Sequence, residues 1–160
     1  MKKIILGVLF FISCLFANEI KFDMNFTKDT SWKIKKIKLY QNPIWASKIE
    51  FKNGKNAFFC SPKSMFEFYF NEEKWKIFEI ASPSDFTNIL ITDYKTSKIV
   101  DAKKAFFVYG SSKISPAGDD LVAFESKEDA SNYLQNNNGK RIFSFSEVKN
   151  SLIRLLNGRI

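Results

Sequence analysis

The chain has 160 residues, of which 25 are Lys or Arg and 17 are Asp or Glu, giving a formal net charge of +8 and no histidine at all. Without histidine there is no ordinary general base, no usual zinc ligand and no Ser-His or Cys-His nucleophile pair. The 18 phenylalanines supply enough aromatic volume to fill a core without cross-links.

Met1-Lys2-Lys3 precedes the uncharged residues 4–16 and a small residue at Ala17. A basic start, an apolar run too short to span a bilayer and a small residue at its end predict an export signal over residues 1–17. Cys14, in Phe11-Ile12-Ser13-Cys14, offers an alternative ending in which the cysteine is lipidated and holds the protein at a membrane. Either ending places the mature protein in the periplasm, away from nucleic acid. Losing residues 1–17 removes two lysines and no acid, so the net charge falls from +8 to +6. Cleavage after Ala17 leaves Cys60 without a second cysteine, so no internal disulfide forms.

Residues 19–29 have mixed polarity and read as a lead-in or an edge strand. In residues 31–40, Trp32, Ile34, Ile37 and Leu39 hold no single period, which leaves helix and strand open. Residues 49–51 and 56–59 flank Asn53-Gly54, whose tolerance of positive φ predicts a tight hairpin. Ser61-Pro62 is a cap followed by proline at its favoured first position, predicting a helix with Met65, Phe66, Tyr69 and Phe70 on one face. Charged residues surround Trp75, Ile77 and Phe78 across residues 72–80. Ser82-Pro83-Ser84-Asp85 is loop chemistry, and residues 89–94 form an apolar strand candidate.

The second half repeats this order. Residues 106–109 and 121–124 are apolar runs, and residues 110–120, rich in Gly, Ser, Pro and Asp, predict an exposed loop between them. Ser126 caps a helix over 127–134, which Asn136-Asn137-Asn138-Gly139 stops. Residues 141–145 supply a last strand, and residues 146–156 a final helix with Val148, Leu152, Leu155 and Leu156 inward. Phe106, Phe124, Leu134 and Phe143 are expected to share one core. The fold class is α+β: two small ββαβ units in tandem plus a C-terminal helix. The first unit covers residues 18–95 with its lead-in and the second residues 96–160, meeting near residues 96–102.

No Cys-x-x-Cys, phosphate-binding glycine loop or nucleophile elbow occurs. Asp119-Asp120 and Glu72-Glu73 are adjacent carboxylates, whose side chains diverge, so they read as solvated surface charge rather than a catalytic pair. The chain is therefore not expected to be an enzyme. Its soft donors are Cys60, Met65 and Met24. Soft thiolate and thioether groups select copper(I), and Cys60 stands just before the helix that carries Met65, where the helix dipole favours a thiolate. Cys60 and Met65 are the candidate metal ligands. Core packing is the other role open to both.

Several segments together resemble one family. Gly110-Ser111, Ser115-Pro116-Ala117-Gly118, residues 121–124 and residues 126–130 follow the signature of the nitrous oxide reductase accessory protein (NosL) family. So do Gly139-Lys140-Arg141-Ile142, Phe145-Ser146-Glu147-Val148, Asn42-Pro43-Ile44-Trp45-Ala46, residues 58–70 and Thr92-Asp93-Tyr94. The resemblance implies two ββαβ units and an exported protein that delivers copper(I) during maturation of nitrous oxide reductase. Its partners would be that enzyme or its assembly factors. It makes Gly110, Ser111, Pro116, Gly118 and Asp119 the signature loop. Two departures accompany it. The place of the family's Cys-Gly-Met motif is taken by Lys35-Lys36-Ile37, and its Pro-Met-Gly loop is here Pro116-Ala117-Gly118, followed by Asp119. The family's copper ligands are thus not retained. An alternative is a metal-free interaction or scaffold protein of the same fold, working in the same assembly pathway. Mass spectrometry of the exported protein is expected to find Asn18 at its N-terminus; a lipidated Cys14 there would refute cleavage after Ala17.

Overall fold

The structure, a computed structural model, describes residues 23–32 and 36–158. The expected export signal, Cys14 and Lys35 lie outside the described residues. No helix among the described residues is long and apolar enough to cross a membrane.

The ambiguous stretch after residue 30 contains two very short strands, β1 (Ser31–Trp32) and β2 (Ile37–Lys38), paired antiparallel. Single 3-10 turns at Leu39–Gln41 and Pro43–Trp45 follow. Among the described residues of this stretch no element is long enough to show a period. β3 (Ser47–Phe51) and β4 (Asn56–Phe59) form the expected hairpin, with Gly54 at φ +80° in its turn. The Asn53 carboxamide accepts a hydrogen bond from the Lys55 N–H at 3.1 Å, which tightens the same turn.

α1 (Pro62–Tyr69) starts as the sequence predicts, the Ser61 hydroxyl accepting from the Ser64 N–H at 3.1 Å. Met65, Phe66 and Phe68 are all buried, so this helix is covered on more than one face. α2 (Glu72–Trp75) is one turn long and runs into a 3-10 turn at Lys76–Phe78. β5 (Phe86–Thr92) pairs with β3, and β6 (Ile99–Asp101) pairs with β5. β6 lies in the stretch expected to join the two units. It is the fourth strand of the first sheet, whose order is β4-β3-β5-β6.

β7 (Phe106–Ser115), β8 (Gly118–Phe124), α3 (Lys127–Asn136) and β9 (Arg141–Ser144) make the second unit, with sheet order β8-β7-β9. Ser126 caps α3, and Asn138 at φ +57° turns the chain out of it. α4 (Asn150–Leu156) closes the described chain. Both halves thus follow a ββαβ order, with β6 added to the first.

Strand alternation assigns each side chain its layer. Ile49, Phe51, Ala57, Phe59, Ile89 and Ile91 face the main core from the first sheet, while Phe107, Leu121 and Ala123 face it from the second. α1 lies between them, packed against β3, β4, β8 and α4. The outer face of the first sheet carries Leu90 and is covered by Met24, Leu39 and Ala46. The outer face of the second carries Val108, Val122 and Phe124 beneath α3.

Two expectations about packing need correction. Phe106, Phe124 and Leu134 belong together under α3, but Phe143 packs against the main core on the other face. Its partner across β7 and β9 is Phe107, one residue out of phase with Phe106, and alternation sends the two to opposite faces. In α4, Leu155 is 45% exposed and Ile153 is the buried residue. A 3-10 turn at Phe145–Glu147 delays the helix to Asn150, which rotates its inward face. Val148, Leu152 and Leu156 do pack on the core as expected.

The two sheets are stitched at Asp93, which is 1% exposed. Its carboxylate accepts from Lys95 N–H, Thr96 N–H, the Thr96 hydroxyl and, at 2.6 Å, the Glu125 N–H just after β8. Tyr94 N–H donates to Ala123 O at 2.9 Å beside it. Phe124→Ala is expected to cost about 3–5 kcal/mol in urea denaturation, as truncating a buried aromatic does. A cost of a few tenths would contradict the layer assigned to β8.

Candidate functional site

The signature segment is not the open loop expected over residues 110–120. β7 runs through it to Ser115 and β8 begins at Gly118, so Pro116 and Ala117 alone make the turn. The register shifts between Tyr109 and Ile114, leaving a bulge. The glycines and serines that read as loop residues are what the bulge and the turn require. Gly110 has φ +76°, and a Cβ there would meet the Lys140 side chain at 2.8 Å. Gly118 has φ +89° at the turn. The signature residues therefore mark two places. Gly110 and Ser111 lie at the bulge beside β9 and α3, where the Tyr133 hydroxyl donates to Ser111 Oγ at 3.5 Å. Pro116, Gly118 and Asp119 form the tip.

The tip is held against the start of α1 by Asp120. The sequence placed Asp119 and Asp120 together on the surface, but only Asp119 is exposed; Asp120 is 4% exposed. Asp120 falls opposite the bulge, between the paired Asp119 and Leu121, where regular alternation is interrupted, and its side chain turns toward the start of α1. Its Oδ1 accepts from Lys63 N–H at 2.7 Å and Leu121 N–H at 2.8 Å, and its Oδ2 from Ser115 Oγ at 2.6 Å. The Ser61 hydroxyl adds a further hydrogen bond to the carboxylate. Burial raises the Asp120 pKa above the ordinary carboxylate value, against the opposing pull of those donors.

Lys63 completes the arrangement. It is 2% exposed, yet its Nζ donates to Ala117 O in the turn at 2.8 Å and to Leu156 O at 3.3 Å. Leu156 ends α4, where carbonyls lack helical partners and the helix dipole is negative, so an ammonium is well placed. One side chain from α1 thus grips both the hairpin tip and the end of α4. Sequence reasoning passed over Lys63, because a lone lysine on an amphipathic helix ordinarily marks its solvated side. Proline and serine just before it, which fix the helix start, were the available signal.

Cys60 and Met65 lie in the main core, 2% and 0% exposed. Cys60 Sγ is 3.8 Å from Ser64 Oγ. Met24 belongs to a different cluster, on the outer face of the first sheet. Among the described residues no three His, Cys, Asp or Glu side chains converge as a metal would need. Lys36 has φ +54°, a conformation glycine adopts most readily, at the position the resemblance assigns to a glycine.

Asp120→Ala would strand the Lys63 and Leu121 amides in the core. It is expected to cost roughly 2–4 kcal/mol, from the usual penalty for buried unsatisfied donors. Asp120→Asn is expected to cost much less, because Oδ1 keeps both amides and Ser115 can turn its proton to Gly118 O, 3.1 Å away. The raised pKa also sets a pH dependence. Folded protein holds the Asp120 proton more tightly than unfolded chain, so this stabilisation is full below the unfolded carboxylate pKa and is lost as pH rises through the folded one. Denaturation across that window is expected to show the decline in wild type and not in Asp120→Asn.

Comparison with known proteins places this arrangement. No curated protein matches the chain. Among solved structures, the copper chaperone NosL from Shewanella denitrificans matches with a TM-score of 0.66 at 19% sequence identity, covering 82% of this chain and 98% of that one. At that identity the match establishes the mixed α/β fold. The NosL family itself matches residues 23–153, most of the sequence, including both ββαβ units and the start of α4. The chain belongs to the NosL family.

Proposed function

We propose that the protein is an exported accessory factor in the maturation of a copper enzyme, with nitrous oxide reductase as its client. The family match over residues 23–153 is the observation that carries this reading. The solved relative is a copper chaperone, which makes copper(I) the metal to test and assigns no reaction to the protein itself. The residues 1–17 that read as an export signal put its place of work in the periplasm, soluble or, if Cys14 is lipidated, at the membrane.

How it serves the pathway depends on the donors available. Copper(I) capture needs converging thiolate and thioether groups. Here the tip offers carbonyls, hydroxyls and an ammonium, while Cys60 and Met65 are sealed in the core. An ammonium about 4 Å from a bound cation repels it by about 1 kcal/mol in water and by more where water is excluded. The buried Lys63 ammonium therefore favours the second reading, a metal-free member that acts through protein contacts in the same pathway.

Two measurements separate these possibilities. Deleting the gene is expected to leave nitrous oxide reductase short of copper; an enzyme with full copper content would overturn the accessory role. In competition with a chromogenic chelator, the mature protein is expected to lose copper(I), and Cys60→Ala to change little. Installing Lys35→Cys, Lys36→Gly, Ile37→Met and Ala117→Met together is expected to create a competitive site. Tight one-to-one binding by wild type, abolished by Cys60→Ala, would instead establish direct delivery through Cys60.

A further inference from the structure

On the outer side of the second unit, α3 and the residues after β5 enclose an open cavity of about 280 Å³. That volume suits one side chain or a small ion rather than a cofactor. Phe124, Tyr94 and Tyr133 line it, in mutual ring contact at centroid separations of 5.0–6.2 Å. The cavity surface is mostly apolar, and the other residues that line it, among them Lys95, Asp129 and Asn132, are polar. Asp129 stands in the wall with its side chain 19% exposed, paired at 2.6 Å with the Nζ of Lys95, whose side chain is 62% exposed. Asn136 and Asn137 also line the cavity. Their carboxamides face Asn132 O at 2.8 Å and Tyr133 O at 3.0 Å. A carbonyl only accepts, so Nδ2 must face it, and each Oδ1 is left as an acceptor.

Charge points the same way. The sequence is basic overall, at +8. Beside this cavity, however, Asp129 foremost, and Glu128 and Asp93 with it, favour the charged form of the Lys95 ammonium. Asp93 is occupied by its own donors, but Asp129 is held only by a lysine that is mostly in water. Such an exposed pair is weak and readily exchanged.

We infer that this cavity is a docking site for the arginine side chain of a partner protein, with Lys95 as the resident cation that the incoming guanidinium displaces. A guanidinium is planar, weakly hydrated and carries five donors, so it can stack on aromatic rings while giving hydrogen bonds to a carboxylate and carboxamide oxygens at once. A lysine ammonium offers fewer donors and no flat face. The inference does not depend on whether the protein handles metal.

The sign of the Lys95 effect tests it. The folded mature protein is titrated with arginine capped at both ends, N-acetyl-arginine amide, and followed by tyrosine NMR signals. Saturable binding that perturbs Tyr94 and Tyr133 is expected. Lys95→Ala removes the competitor and is expected to tighten binding by up to about fivefold, the worth of an exposed ion pair. Asp129→Asn is expected to weaken it by at least that factor, and N-acetyl-norleucine amide not to bind. Unchanged or weaker binding by Lys95→Ala would overturn the proposal, since the exposed Lys95 can be truncated without unfolding the protein. So would binding of N-acetyl-glutamate that depends on Lys95, which would make this an anion site. Binding of methylguanidinium with exclusion of a capped Gly-Arg-Gly peptide would mean a small-molecule site and would equally end the partner reading.

Discussion

Burying one carboxylate at Asp120 is the constraint from which the arrangement of the signature hairpin follows. A charge withdrawn from water must be met by donors, and the nearest are the amides at the start of α1 and the hydroxyls of Ser61 and Ser115. Meeting them fixes the hairpin tip against α1. With the tip in place, the inward residues of β8 reach the core that α1 shares with the first sheet. The buried Lys63 then draws the end of α4 to the same point. Three elements distant in sequence converge on a few polar atoms, with aromatic packing filling the space around them.

Much of the framework was legible in the sequence because local chemistry settled it. Asn53-Gly54, Ser61-Pro62, Ser126 and the asparagines after residue 135 each have a physical reason to turn, cap or stop the chain, and each does so here. What escaped was decided by distant partners. β6 is three residues long and exists because β5 offers an edge. Phe143 could be assigned a face only once its register with Phe107 was known. The composition of residues 110–120 read as an exposed loop, whereas its glycines and serines serve a bulge and a two-residue turn inside a long hairpin.

The site shows the same division. Cys60 and Met65 attracted attention as residue types, and the fold places both among core side chains. Asp120 read as ordinary surface charge and Lys63 drew no reading, yet the two are the buried polar centre. Composition reports which chemistry a chain can attempt. Only pairing across long separations, 57 residues in the case of Lys63 and Asp120, reports which of it is sheltered from water.

The acceptors that Lys63 uses are main-chain carbonyls, those of Ala117 and Leu156. Every residue type supplies such a carbonyl, so the identities at positions 117 and 156 can drift without removing the acceptors that hold the tip. A fold secured in this way separates its architecture from the side chain displayed at the turn. The turn residue becomes free to gain or lose a function, such as a metal-binding group, while the scaffold beneath it persists. The lock itself rests on the side chains of Lys63 and Asp120, which make its hydrogen bonds.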